Sequence, residues 1–172
     1  MSPSSDNPDR TDVRWLAIVH LAATWFMVGL IWTIHTVHYP LFAEVGTATY
    51  TEFQAEHVER IGRLLLFPWL AEGLTLLGLI WVAFRRAGRR DLRVPVAVGA
   101  VAMGIVLLIS GFWSAPAHGE LADGFDAAVH GRLMDANLVR TLAWTVRGAT
   151  AVWIVALVWP GRRQSASEAP SA

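Results

Sequence analysis

Four apolar stretches set the terms for this fold: about Trp15 to Val37, Leu64 to Phe84, Val94 to Trp113 and Thr141 to Trp159. Each approaches the roughly 20 residues that a helix needs to cross a hydrocarbon core of about 30 Å. A segment inside lipid has to satisfy its own backbone polar groups, so stretches of this length and composition are helical. The pattern predicts an all-α fold: a four-transmembrane-helix bundle over residues 13–160. Polar tails flank it at 1–12 and 161–172, and their Pro, Ser and charge content predicts disorder. Residues 1–12 lack the basic leading region and small-residue cleavage site of a signal peptide.

Composition agrees. Of 172 residues, 54% are hydrophobic and 16% charged, against about 25% charged in soluble domains. Nine Trp and seven Phe suit a chain with two membrane interfaces. The absence of Cys excludes disulfides and thiolate metal sites. The 14 basic residues are all Arg, which reads as the coding bias of a GC-rich bacterial genome. A net charge of zero argues against nucleic acid as a partner and leaves the lipid bilayer as the expected one.

Arg placement predicts the orientation. The segment RRAGRRDLR (85–93) holds five Arg, and the flanks add Arg10, Arg14, Arg162 and Arg163. The positive-inside rule then puts both termini and the 85–93 connection on the cytoplasmic side of a bacterial inner membrane. The longer connections, about 38–63 and 114–140, face outward. Helical spacing runs through both: Tyr50, Phe53, His57 and Ile61 share one face, and Val129, Leu133 and Ala136 another. The second and fourth helices are therefore expected to extend outward by several turns, with Asp126 as N-cap of the fourth. Pro40 and Pro116 are expected to end the first and third helices.

A weak internal duplication at an offset of 80 residues crosses this frame. It aligns His38 with His118, His57 with Asn137, Arg60 with Arg140, Trp32 with Phe112 and Tyr50 with His130. It divides the bundle into two tandem helix pairs, about 13–84 and 94–160. Both polar clusters fall at one end, as a composite site requires.

Three groups of residues carry chemistry. His35 and His38, three apart, share a helical face, and neutral imidazoles there can ligate a metal or haem. With His57 and His118 they form the candidate metal set; equally, each can be an interfacial or loop His. His118, after Pro116, is expected in irregular backbone. Glu72 sits eight residues inside the second apolar run, where an ionisable group is a functional candidate by default. On the fourth helix Asn137, Arg140, Trp144 and Arg147 fall on one face, running from the outer side into the membrane. Glu72 can pair with Arg147 in a structural ion pair. In the other reading Glu72, Arg140 and Arg147 are the catalytic set, and His38, His57, His118, Asn137 and Trp144 hold a cofactor or flat ligand, with Trp144 stacking on it. His20 reads as a bundle-interior His bonded to a neighbour, and His130 as solvated. No phosphate-binding loop, nucleophile elbow or zinc-protease motif is present. The scattered Gly of the spans point to close helix packing.

The run His38, Tyr39, Pro40, Leu41, Phe42, Gly46, His57, Arg60, Ile61, Pro68 and Glu72 recurs in a recognisable pattern. So does Trp113, Pro116, His118, Leu121, Gly124, Asn137, Arg140, Thr141, Trp144 and Arg147. Together they resemble a group of small four-helix bacterial membrane proteins to which no activity is assigned, over most of residues 25–155. More distantly, the layout is similar to the anthrone oxygenase-like membrane family, through the Arg140-Thr141 pair and the Pro116/His118 spacing. The resemblance implies a four-helix membrane fold and leaves the activity open.

Three functions fit these residues. One is a metal- or haem-linked redox enzyme with Glu72 as proton acceptor and Arg140 and Arg147 orienting an anionic or quinone-like substrate. Another is a carrier or small-ligand-binding protein built on the same polar stripe. The third is an accessory subunit, as a homodimer or with a membrane partner. Glu-x-x-His pairs, which a di-metal carboxylate bundle would carry, are missing.

Overall fold

The computed structural model describes residues 8–86 and 88–159, which are helical with short connections. Helix α1 (Pro8–Thr33) continues into a π-helical turn at Ile34–His38 and a 3₁₀ turn at Pro40–Glu44. Helix α2 (Tyr50–Arg85) follows, then a 3₁₀ turn (Arg90–Leu92) and α3 (Arg93–Ile109). A second π turn (Ser110–Ser114), the short α4 (Ala115–Leu121) and α5 (Ala127–Val158) complete the chain. Four stretches, Asp12–Glu44, Tyr50–Arg85, Arg90–Leu121 and Ala127–Val158, are long and apolar enough to cross a membrane. The expected tail 161–172 lies outside the described residues, as do 1–7; residues 8–12, expected in the disordered N-terminal tail, are the start of α1 instead.

The long helices pack side by side, α1 on α2 and α5, and α3 on α5 and α2, with α2 and α3 touching least. Glycines mark some close approaches: a Cβ on Gly78 would come within 3.1 Å of Leu16, and one on Gly148 within 3.1 Å of Val28. Gly29, Gly73, Gly104 and Gly111 have open space instead, so close packing is not their role. Large apolar side chains such as Phe67, Leu74, Leu77, Val101 and Phe112 lie on the outside, as lipid-facing surfaces require. Asp126 caps α5 by accepting from the backbone N–H groups of Ala128 and Val129.

Proline placement accounts for both π turns. Inside an α-helix, the ring of Pro40 would strike the carbonyl of Thr36, and that of Pro116 the carbonyl of Phe112. Both carbonyls lie inside the π turns, where the wider coil moves them aside. The Tyr39 N–H reaches back to the Ile34 carbonyl at 2.9 Å. The third helix therefore does not end at Pro116. It passes through the π turn into α4, with Pro116 in the first turn, where no N–H is needed. His118 sits on that helix, and not in irregular backbone. Each proline stands two residues past its π turn, so by this measure His38 shares its place with Ser114, and His118 lies one helical turn further on.

Candidate functional site

The end of the molecule away from the Arg-rich 85–93 connection gathers four of the six His residues. His38 closes the first π turn, His57 lies two turns into α2, His118 is on α4 and His130 is in the first turn of α5. Phe42, fully buried, is the wedge between them. Its ring centroid is 5.4 Å from His38, 5.0 Å from His57, 6.4 Å from His118 and 6.1 Å from His130. His38 Nε2 and His57 Nδ1 are 2.9 Å apart, so they share one proton between them. The rings of His57 and His118 are 5.2 Å apart. His130 is half-buried rather than solvated. Its Nε2 donates to the Tyr39 carbonyl at 2.8 Å and ties α5 to the chain entering from α1.

His118 has both ring nitrogens engaged. Gln54 Nε2 lies 2.9 Å from Nδ1 and 3.3 Å from the His118 carbonyl, which can only accept. The Gln54 amide must therefore present its NH₂, and Nδ1 accepts from it. In the neutral ring the proton is then on Nε2, which donates to the Tyr39 hydroxyl oxygen at 2.9 Å. That leaves the Tyr39 O–H proton free to go elsewhere.

Tyr39 lines a partly open cavity of about 160 Å³. Its polar walls are Tyr39, Trp69, Ser110, Ser114, His118 and Arg140; α1 and α2 supply apolar walls including Met27, Ile34 and Leu65. Both π turns face it, through Ile34 on one side and Ser110 and Ser114 on the other. Three polar atoms of the lining residues are buried without a partner: Trp69 Nε1, Ser110 Oγ and Arg140 Nε. Arg140, 7% exposed, reaches Ser114 Oγ at 3.4 Å and stands beside the Tyr39 phenol, with its guanidinium 5.8 Å from the Trp144 ring centroid. It has no carboxylate in ion-pair contact among the described residues.

Arg147, about two turns further along the same face of α5, is the opposite case. Its Nε and Nη2 donate to Glu72 Oε1 at 2.8 and 2.6 Å, and its Nη1 donates to the Gly99 carbonyl at 2.7 Å. Trp144 Nε1 is 3.3 Å from both Glu72 oxygens. The pair is fully buried and joins α2, α3 and α5. The Trp144 ring stacks on Trp69 at 6.1 Å, so its face is taken by protein rather than left for a flat ligand. His20 Nδ1 bonds Thr75 Oγ1 at 2.9 Å, the neighbour contact its position suggested.

Arg60 stands apart. It is exposed and paired with Glu56 at 2.7 Å, so the His-x-x-Arg likeness of the two halves does not carry into equivalent surroundings. Asn137, the partner of His57 in the duplication, is fully buried with neither amide atom satisfied. His35 is not joined to the other His residues by a hydrogen bond, and its Nδ1 is buried and unpaired.

The His cluster does not fit a metal or haem. Among the described residues no group of three His, Asp or Glu is arranged to hold an ion. Both nitrogens of His118 are occupied and the facing atoms of His38 and His57 bond each other, which leaves His57 Nε2 and His35 Nδ1 as buried nitrogens without a partner. The cavity of about 160 Å³ beside His118 is close to the size that takes a benzene ring. His38, His57 and His118 thus work as a hydrogen-bonded and packed group rather than as ligands converging on one point, and His35 stands outside it.

Tyr39, Gln54, Trp69, Ser110 and Ser114 are the site residues that motif reading missed. Gln54 is three residues before His57 and Trp69 three before Glu72, so helical spacing from the singled-out residues would have found both. Comparison with known proteins adds no residue: no family model, curated protein or solved structure matches the chain.

Proposed function

We propose that the chain is a multi-pass membrane protein that binds a small molecule through a carbonyl or carboxylate head group in the cavity beneath Arg140. One observation carries this reading: a buried guanidinium with no carboxylate partner among the described residues faces a cavity whose other unpaired polar atoms, on Trp69 and Ser110, include an obligate donor. A buried cation is strongly disfavoured unless something compensates it, and a planar oxygen acceptor suits its forked donors. Tyr39 adds its free O–H from the same wall. By volume the cavity takes a single ring or a carboxylate with a few carbons.

The His cluster supplies a route for a proton. Tyr39 and His118 line the inner cavity, whereas His38 and His57 line a second pocket of about 360 Å³ with Glu56 and Arg60. The hydrogen bonds His38–His57 and Tyr39–His118, with the His57 and His118 rings adjacent, make a nearly continuous chain between the two. In this reading the Arg-rich connection 85–93 and both termini are cytoplasmic in a bacterial inner membrane, and the His end faces outward. The chain of helix, π turn and long helix in each half supports two tandem pairs meeting around the site.

Equilibrium binding of benzoate and para-benzoquinone to protein in phosphatidylcholine nanodiscs tests the proposal. The wild type is expected to bind at least one of them at one per chain, and Arg140→Gln to lose about tenfold or more in affinity, the loss of one charge-assisted contact. Binding of neither, or equal binding by Arg140→Gln, would falsify it.

A further inference from the structure

The interior cavity is too small for more than a head group, yet it has a large neighbour. A groove of about 600 Å³ runs along the outside between α2 and α3, with apolar walls that include Leu66, Leu70, Leu77 and Met103 and floor space at Gly62 and Gly73. Leu65 and Trp69 line both the groove and the interior cavity. Both are half-buried, as a thin wall between core and surface would be. The wall stands on the turn of α2 that contains Pro68, which removes a backbone hydrogen bond there. It also lies at the side where the long helices touch least.

We infer that the ligand is a lipid-soluble molecule which enters sideways from the bilayer: its carbonyl or carboxylate ring passes Leu65 and Trp69 to reach Arg140, and its apolar tail stays in the α2–α3 groove. Leu65 and Trp69, shared by the two spaces, put the groove one side-chain layer from the cavity, and that adjacency commits the groove to this occupant. A water-soluble ligand of the same head chemistry would have no use for an apolar channel that opens toward lipid. Trp69 serves as the gate. Its ring closes against Trp144, and its unpaired Nε1–H is a donor for the arriving head group. No chemical step is implied; the tail adds contact area, and the bilayer supplies the concentrated pool from which the ligand is drawn.

This inference rests on the head-group reading above, and the test separates the two. Tailless probes (benzoate, para-benzoquinone) and tailed ones (para-decylbenzoate, decyl-para-benzoquinone) are titrated against wild type and Gly73→Phe in the same phosphatidylcholine nanodiscs, so that partition into lipid cancels. A Cβ on Gly73 meets nothing within 4 Å, so the backbone has room for a side chain there, at the floor of the groove. Leu77→Trp, farther along the groove, is carried beside it so that a folding failure of one variant leaves the test standing. The expected result is about tenfold or greater weakening of the tailed probes in either variant, the loss of a few methylenes of contact, with tailless binding unchanged. Unchanged binding of the tailed probes overturns the groove, and so does equal loss of both kinds, since the residues would then act through the fold. If tailed probes alone bind the wild type and weaken in Gly73→Phe, the groove stands and the head-group reading fails.

Discussion

At the scale of single residues, what separates Arg140 from Arg147 is their partners. Both lie on one face of α5 and both are buried, but Arg147 uses its donors on Glu72 and Gly99, whereas Arg140 retains an unpaired Nε–H beside a cavity. Depth in the spans already named Arg147 as the partner of Glu72, and the pair is there; that Arg140 is left beside a cavity comes from packing, because it depends on which side chains lie opposite. Tyr39 shows the same limit. It follows His38 directly, and its meaning comes from α4 bringing His118 to its hydroxyl. Tyr39→Phe should leave the His118 Nε2–H buried and unmatched, at a cost of about 1–3 kcal/mol. Denaturant midpoints in mild detergent would check it, and stability equal to wild type would mean that the His118 bond is not made.

Elements were more legible than their junctions. The extension of the second and fourth helices ahead of their apolar runs and the Asp126 cap follow from apolar spacing and a short polar side chain, both local properties. The π turns do not. They arise where Pro40 and Pro116 meet helices that tertiary packing keeps going, so a stop signal becomes a widening. Pro116→Ala should let the turn at Ser110–Ser114 tighten toward ordinary α geometry, swing Ser114 and His118 off the cavity, and weaken head-group binding by about tenfold. Unaltered affinity would show that the π turn is not needed to shape the site. The Glu72–Arg147 pair pins α2 to α5. Glu72→Gln alone should destabilise by roughly 3–5 kcal/mol because it strands a buried guanidinium, and Glu72→Gln with Arg147→Met should recover part of that. Thermal unfolding in detergent measures both, and absence of recovery would exclude the pair as the source of the loss.

For the whole molecule, composition alone pointed to four spanning helices, and four stretches of sufficient length and apolar character are there. The gathering of His, Tyr and Arg at one end was legible only in outline, through the duplication. Its register shifts by one turn between the π–proline unit and the His residues, so aligned pairs such as Arg60 and Arg140 end in unlike settings. The cysteine-free chain makes topology direct to measure. In intact cells Thr47→Cys and Asp123→Cys should react with a membrane-impermeant maleimide while Arg90→Cys should not; the reverse pattern would invert the orientation and turn the His end inward.

The central claim is that one buried guanidinium awaits a ligand while its neighbour does not. Nitrogen-15 NMR of the arginine Nε–H groups in nanodiscs, with Arg140 and Arg147 assigned by single substitution, observes this atom by atom. On titration with benzoate or para-benzoquinone, the Arg140 Nε–H signal should shift and saturate, and the Arg147 signal, held on Glu72, should stay in place. No movement at Arg140, or equal movement of the two, would contradict the account.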